Sequence, residues 1–129
     1  MKKPLTKMIV VDDDVDILKI TQFSLEEMKG VSIRYCRSGQ EAIQEALVFQ
    51  PDFMLIDVMM PQMDGVVLVQ AMRLIPALAN IPVAFLTAKI QKEEIESYHK
   101  MGIMDVITKP FDPLTLGDKI LKIWNKLNS

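Results

Sequence analysis

The chain has 129 residues, half of them apolar, with 15 basic and 17 acidic side chains and a formal net charge of −2. That length fits one domain with an ordinary core, and the balanced charge leaves no footprint for nucleic acid or another polyanion. The lone cysteine, Cys36, excludes an internal disulfide and points to a reducing compartment. No apolar run approaches the ~20 residues that cross a bilayer.

In chain order, strand-like and helix-like segments alternate from residue 7 to 127. The start, Met-Lys-Lys-Pro, is followed by too short an apolar stretch for a signal peptide, so a soluble cytoplasmic protein without membrane insertion is expected. Lys7–Asp12 reads as the first strand and runs into Asp12-Asp13-Asp14. Asp14 is placed to cap a helix with Ile17, Ile20, Leu25 and Met28 on its apolar stripe, ending at Gly30. Val31–Cys36 alternates as a second strand, at an edge. Cys36 reads as a buried, inert thiol, since no electropositive neighbour is evident.

Ser38-Gly-Gln-Glu41 is a capping box that opens a helix to about Phe49. Pro51 breaks it before the third strand, Asp52–Asp57, and Val58–Gly65, with Pro61 and Asp64-Gly65, is a loop. Val66–Ile75 is a third helix stopped by Pro76. Ile81–Leu86 is a fourth strand that stops at Thr87, and Gln91–Met101 a charged helix that ends at Gly102. Met104–Thr108 is the last strand, leading into Lys109-Pro110. Asp112-Pro113 supplies an N-cap and a proline for the closing helix, with Leu116, Ile120, Trp124 and Leu127 on one stripe.

Five βα units with right-handed crossovers make an α/β three-layer sandwich, flavodoxin-like (βα)5, with parallel strand order 2-1-3-4-5. One domain spans 1–129, with its core over about 7–127. In that order the first and third strands are neighbours at the switch point, where open α/β sheets build ligand sites. Asp12 and Asp13 then face Asp57, and without a cation at least one of these carboxyls should have a raised pKa. A hard divalent cation relieves the conflict. Mg²⁺ fits a site of carboxylates and water, and the absence of histidine and cysteine at the strand ends argues against zinc. Lys109 has the stem to reach back towards Asp57, and Thr87 offers a hydroxyl between them. An acid nucleophile, a metal site, a lysine and a hydroxyl are the equipment for phosphoryl transfer to a carboxylate.

With these residues the chain resembles the receiver domain of two-component response regulators over about Lys7 to Leu127. The resemblance rests on IVVDDD (9–14), LIDVMMPQMDG (55–65), VAFLTA (83–88) and ITKPF (107–111). It implies phosphorylation of Asp57 by a histidine kinase, or exchange with a histidine phosphotransfer protein, and a changed affinity for a downstream protein target. It implies Mg²⁺ held by Asp13, Asp57 and the backbone carbonyl of Met59, with Asp12 acting mainly through water. Thr87 and Lys109 would bind phosphoryl oxygens, and Lys109-Pro110 would be a cis peptide. The chain would be no enzyme towards a separate substrate, catalysing only the gain and loss of its own phosphoryl group.

The chain departs from the family's pattern at one position, three residues before the lysine. Similar receivers commonly have Tyr or Phe there, and this chain has Val106, small and stiff at χ1. Switching is therefore expected to use backbone motion of the Thr87–Gln91 loop and a repositioned fourth helix. Met59 and Lys89, two residues after the aspartate and the threonine, would govern water access to the anhydride. His99 reads as a surface residue.

Three other functions compete. A phosphorelay shuttle or phosphate sink uses the same residues. A phosphohydrolase with an aspartate nucleophile would want a second acid at position 59, where methionine stands. A flavodoxin-like cofactor binder would need to place a phosphate against three aspartates, and charge alone excludes that.

Overall fold

The computed structural model describes residues 3–88 and 91–127. Ten elements alternate: β1 (Lys7–Val11), α1 (Val15–Leu25), β2 (Ser32–Cys36), α2 (Gly39–Phe49), β3 (Phe53–Asp57), α3 (Gly65–Arg73), β4 (Val83–Thr87), α4 (Lys92–Lys100), β5 (Val106–Thr108) and α5 (Leu116–Leu127). All strand pairs are parallel and the order is β2-β1-β3-β4-β5. The expected fold and strand order are therefore present.

Alternation along the strands builds two cores, one on each face of the sheet. Ile9, Val11, Met54, Ile56, Val83 and Phe85 pack with α2, α3 and α4. Met8, Val10, Phe53, Leu55, Ala84 and Leu86 pack with α1 and α5. Every residue of β3 and β4 is buried, as a central parallel strand covered on both faces requires.

Several boundaries and faces differ from the sequence expectation. The first helix stops at Leu25 instead of Gly30, and its buried residues are Leu18, Thr21 and Leu25, while Ile20 is 44% exposed. Thr21 can occupy the inner face because its hydroxyl donates to the Ile17 carbonyl at 2.7 Å, which removes the cost of burying it. At the capping box, Ser38 accepts from the Glu41 N–H, but the Glu41 carboxylate reaches back to Arg37 instead of Ser38.

The third helix ends at Arg73, whose guanidinium donates to the Ala79 and Ile81 carbonyls and organises the turn around Pro76. The last strand keeps only three residues, and at its start the Asp105 carboxylate accepts from the Val106 N–H at 2.7 Å. Asp112 forms a turn, accepting from the Leu114, Thr115 and Leu116 amides, so α5 begins three residues later than expected. Its buried face is Leu116, Ile120, Ile123 and Trp124, with Leu127 40% exposed.

Candidate functional site

The strand register dictates the site. Val11 pairs with Ile56 across β1 and β3, so the next residues, Asp12 and Asp57, emerge side by side at the carboxyl edge. Asp57 pairs with Leu86, and Thr87 with Thr108, which brings the ends of β4 and β5 to the same rim. The strand order reverses between β1 and β3, the switch point where such sheets leave a crevice.

Asp12 and Asp57 are almost wholly buried, at 0% and 3% exposure, and Thr87 is buried beside them. Asp13 is the most solvent-open acid of the group. Ligand oxygens of Asp12, Asp13 and Asp57 lie within 4.8 Å of one another. The Lys109 ammonium is 2.7 Å from Asp12 Oδ2 and 3.4 Å from Asp57 Oδ2. The stem of this lysine is expected to reach Asp57, but its shorter contact is with Asp12. The other oxygens of the two buried acids are also engaged. Asp12 Oδ1 accepts from the Asp14 N–H at 2.9 Å, and Asp57 Oδ1 from the Met59 N–H at 3.1 Å.

One lysine does not balance three acids. Burial, and then the charge of Asp12, push the Asp57 carboxyl up to about 6 against the pull of Lys109. Burial alone would lower the Lys109 pKa, but its contacts with Asp12 and Asp57 raise it, so the ammonium stays charged. An all-oxygen donor set with a strained acid at its centre, open to water on the Asp13 side, fits a hard divalent cation.

Gly65, in sequence only a turn signal, is also a residue of the site. A Cβ on it would lie 2.7 Å from the Asp57 carbonyl oxygen and 2.9 Å from Val58 Cα, both backbone atoms that cannot swing aside. The Asp-Gly pair was visible, but the close approach behind Asp57 was not. Gly65→Ala is expected to push the Asp57 peptide outward. Overpacking of this kind costs about 1–3 kcal/mol, readable by urea denaturation alongside a slower phosphorylation.

Val106 is half-buried, pairs with Phe85 and packs against the α2–α3–α4 core. The aromatic ring beside Phe85 belongs to Tyr98 of α4, edge-on at 4.8 Å, with its hydroxyl donating to Glu94 at 3.2 Å. Lys109-Pro110 is cis. Cys36 is buried, and burial followed by the nearby Glu41 and Glu45 charges pushes its thiol up to about 12, an inert group. Met59 is 66% exposed and His99 lies exposed on α4. Lys89, and Ile90 of the Thr87–Gln91 loop, lie outside the described residues. Among the described residues no helix is long and apolar enough to cross a membrane.

Comparison with known proteins agrees with this geometry. Residues 8–121 match the family described as response regulator receiver domain. The alkaline phosphatase synthesis transcriptional regulatory protein PhoP of Bacillus subtilis is 31% identical over 120 residues, covering 93% of this chain and 49% of that protein. A probable transcriptional regulator, ycf29, of Porphyra purpurea is 37% identical over 107 residues, covering 82% and 50%. The chain thus spans about half the length of these curated relatives. Among solved structures, the chemotaxis protein CheY4 of Vibrio cholerae superposes with a TM-score of 0.84 at 27% identity, over 93% of this chain and 99% of that one. The N-terminal domain of a response regulator receiver protein from Methanoculleus marisnigri JR1 gives 0.75 at 33% identity, over 92% and 96%. By strand order, by the acids gathered at its switch point and by these matches, the chain belongs to the response regulator receiver domains of two-component signalling.

Proposed function

We propose that Asp57 accepts a phosphoryl group from a phosphohistidine of a partner kinase or phosphotransfer protein, and that this changes the chain's affinity for a downstream protein. The reading is carried by one observation: the Lys109 ammonium lies between two buried carboxylates that share a rim with the Thr87 hydroxyl. A carboxylate oxygen of Asp57 attacks phosphorus in line, the P–N bond breaks, and the departing imidazole keeps the bonding pair and takes up a proton. The product is an aspartyl phosphate.

Each residue has a distinct part. The Met59 N–H holds Asp57 Oδ1, which leaves Oδ2, on the Lys109 side, to act. Lys109 exchanges part of its contact with the aspartates for phosphoryl oxygens, as a mobile point charge does well. Thr87 donates its hydroxyl to another of these oxygens. Asp12, Asp13 and Asp57, with the Met59 carbonyl, would hold Mg²⁺, which when bound supplies charge neutralisation at the phosphoryl oxygens. No acid stands at position 59 to activate water on a separate substrate, so the chain acts on its own phosphoryl group only.

The output side follows from what packs behind the site. With Val106 in place of a ring, the signal passes through the backbone after Thr87 and through α4, which Tyr98 ties to Phe85 of β4. The decisive experiment is mass spectrometry after incubation with acetyl phosphate and Mg²⁺. One phosphoryl group is gained by the parent and none by Asp57→Asn. Equal gain by both proteins overturns the assignment.

A further inference from the structure

We propose that Met59 is an oxidation site, and that a peroxide acting there shortens the life of the phosphoryl group on Asp57. The half of this inference that concerns the phosphoryl group rests on the function proposed above. The choice of target does not.

Accessibility singles out one sulfur. Met59 is 66% exposed, and among the described residues every other methionine is buried or half-buried. The two methionines that share its loop are withdrawn. Met60 is 8% exposed and belongs to the α2–α3–α4 core, and the Met63 side chain is packed over Gly39. A thiolate is the ordinary competitor for a peroxide. Here the one cysteine, Cys36, is buried and its thiol is held protonated, so it does not divert the oxidant.

Position gives the modification its effect. The Met59 N–H donates to Asp57 Oδ1 at 3.1 Å, so the thioether is rooted on the residue that holds the reacting carboxylate. A lone pair on the Met59 sulfur attacks one oxygen of hydrogen peroxide, and the S–O bond forms as the O–O bond breaks. The departing hydroxide takes the proton from the transferred oxygen and leaves as water. Sulfur gives up two electrons, and the peroxide gains them. An apolar thioether becomes a polar sulfoxide, whose oxygen accepts hydrogen bonds. Position 59 otherwise carries no strong acceptor. The sulfoxide oxygen holds a water beside the aspartyl phosphate and orients it for attack, where the thioether offered only apolar surface.

The test treats the whole chain with a limiting amount of hydrogen peroxide and maps it by peptide mass spectrometry. One oxygen is expected at Met59 before any other residue. Equal or earlier gain at Met60, Met63 or Cys36 overturns the choice of site. Treated and untreated chains are then phosphorylated with acetyl phosphate and Mg²⁺, freed of the donor and followed by intact mass. The oxidised chain is expected to lose its phosphoryl group ~3- to 10-fold faster, the factor that one ordinary hydrogen bond to the attacking water supplies. Met59→Leu is expected to decay at the same rate before and after treatment. Methionine sulfoxide reductase with dithiothreitol returns the thioether, the dithiol closing to a disulfide and the oxygen leaving as water, and is expected to restore the slower decay. A treated chain that decays no faster, or Met59→Leu accelerated as much as the parent, overturns the proposal. If the untreated chain gains no phosphoryl group, the function proposed above fails and takes the phosphoryl half with it, while the peptide map still decides the site.

Discussion

Lys109→Ala is expected to destabilise the metal-free protein more than any other single surface-accessible change, by about 3–5 kcal/mol, the usual cost of stripping one partner from a buried ion pair. The ammonium is the only cation among the described residues within salt-bridge range of Asp12 or Asp57. Both acids are sealed from water, so neither recovers its hydration when the lysine goes. Two adjacent buried carboxylates then repel without compensation, and the fold responds by protonating one of them or by opening the rim. Urea denaturation in chelator at neutral pH measures the loss. Part of it should return at lower pH or on adding Mg²⁺, since each relieves the same repulsion. Lys92→Ala, on the exposed start of α4, serves as control and should stay within ~0.5 kcal/mol of the parent. Equal stability of Lys109→Ala and the parent would mean that the ion pair contributes nothing to the fold.

Asp57→Asn is expected to act in the opposite sense, making the metal-free protein more stable at neutral pH. The Asp57 carboxyl sits near 6 in the folded chain against an ordinary value of 3.8, so the folded state binds this proton more tightly than the unfolded state does. Stability therefore falls as pH rises through the interval between about 4 and 6, and above it the penalty is complete. Below about 4 the group is protonated in both states and contributes nothing. A two-unit displacement corresponds to roughly 2–3 kcal/mol. The gap between variant and parent should thus be near zero in acid, open across that window and stay level above it. Denaturation midpoints in chelator at several pH values give the profile. A gap that is constant with pH, or that closes as pH rises, would contradict a carboxylate held against its preference. A divalent cation should narrow the gap at neutral pH by restoring the parent.

The strands and the site were legible in the sequence because one signal encoded both. Apolar runs that stop at Asp12, Asp57 and Thr87 mark buried strands and, in a parallel sheet, put those stops on one edge. Helix faces were less legible. Ile20 looked like core and is exposed, while Thr21 looked polar and is buried, because a backbone acceptor one turn earlier satisfies its hydroxyl. Hydropathy does not register that bond. The preference of Lys109 for Asp12 depends on where a flexible stem comes to rest, which spacing along the chain does not determine. Gly65 was hidden for a related reason: its role is the space that a side chain would take from Asp57, and that space exists only once the chain is packed. Tyr98 escaped notice within a charged helix, although it is the one buried side chain of α4.

Asp57, the proposed phosphoacceptor, ends β3, a strand buried along its whole length and bonded to a neighbour on either side. β5, by contrast, has three residues and, among the described residues, a single neighbour. On the function proposed above, the molecule would work as a fixed seat with a yielding margin. A load placed on the seat would then be expressed as displacement where the fabric is thinnest, along the outer selvedge.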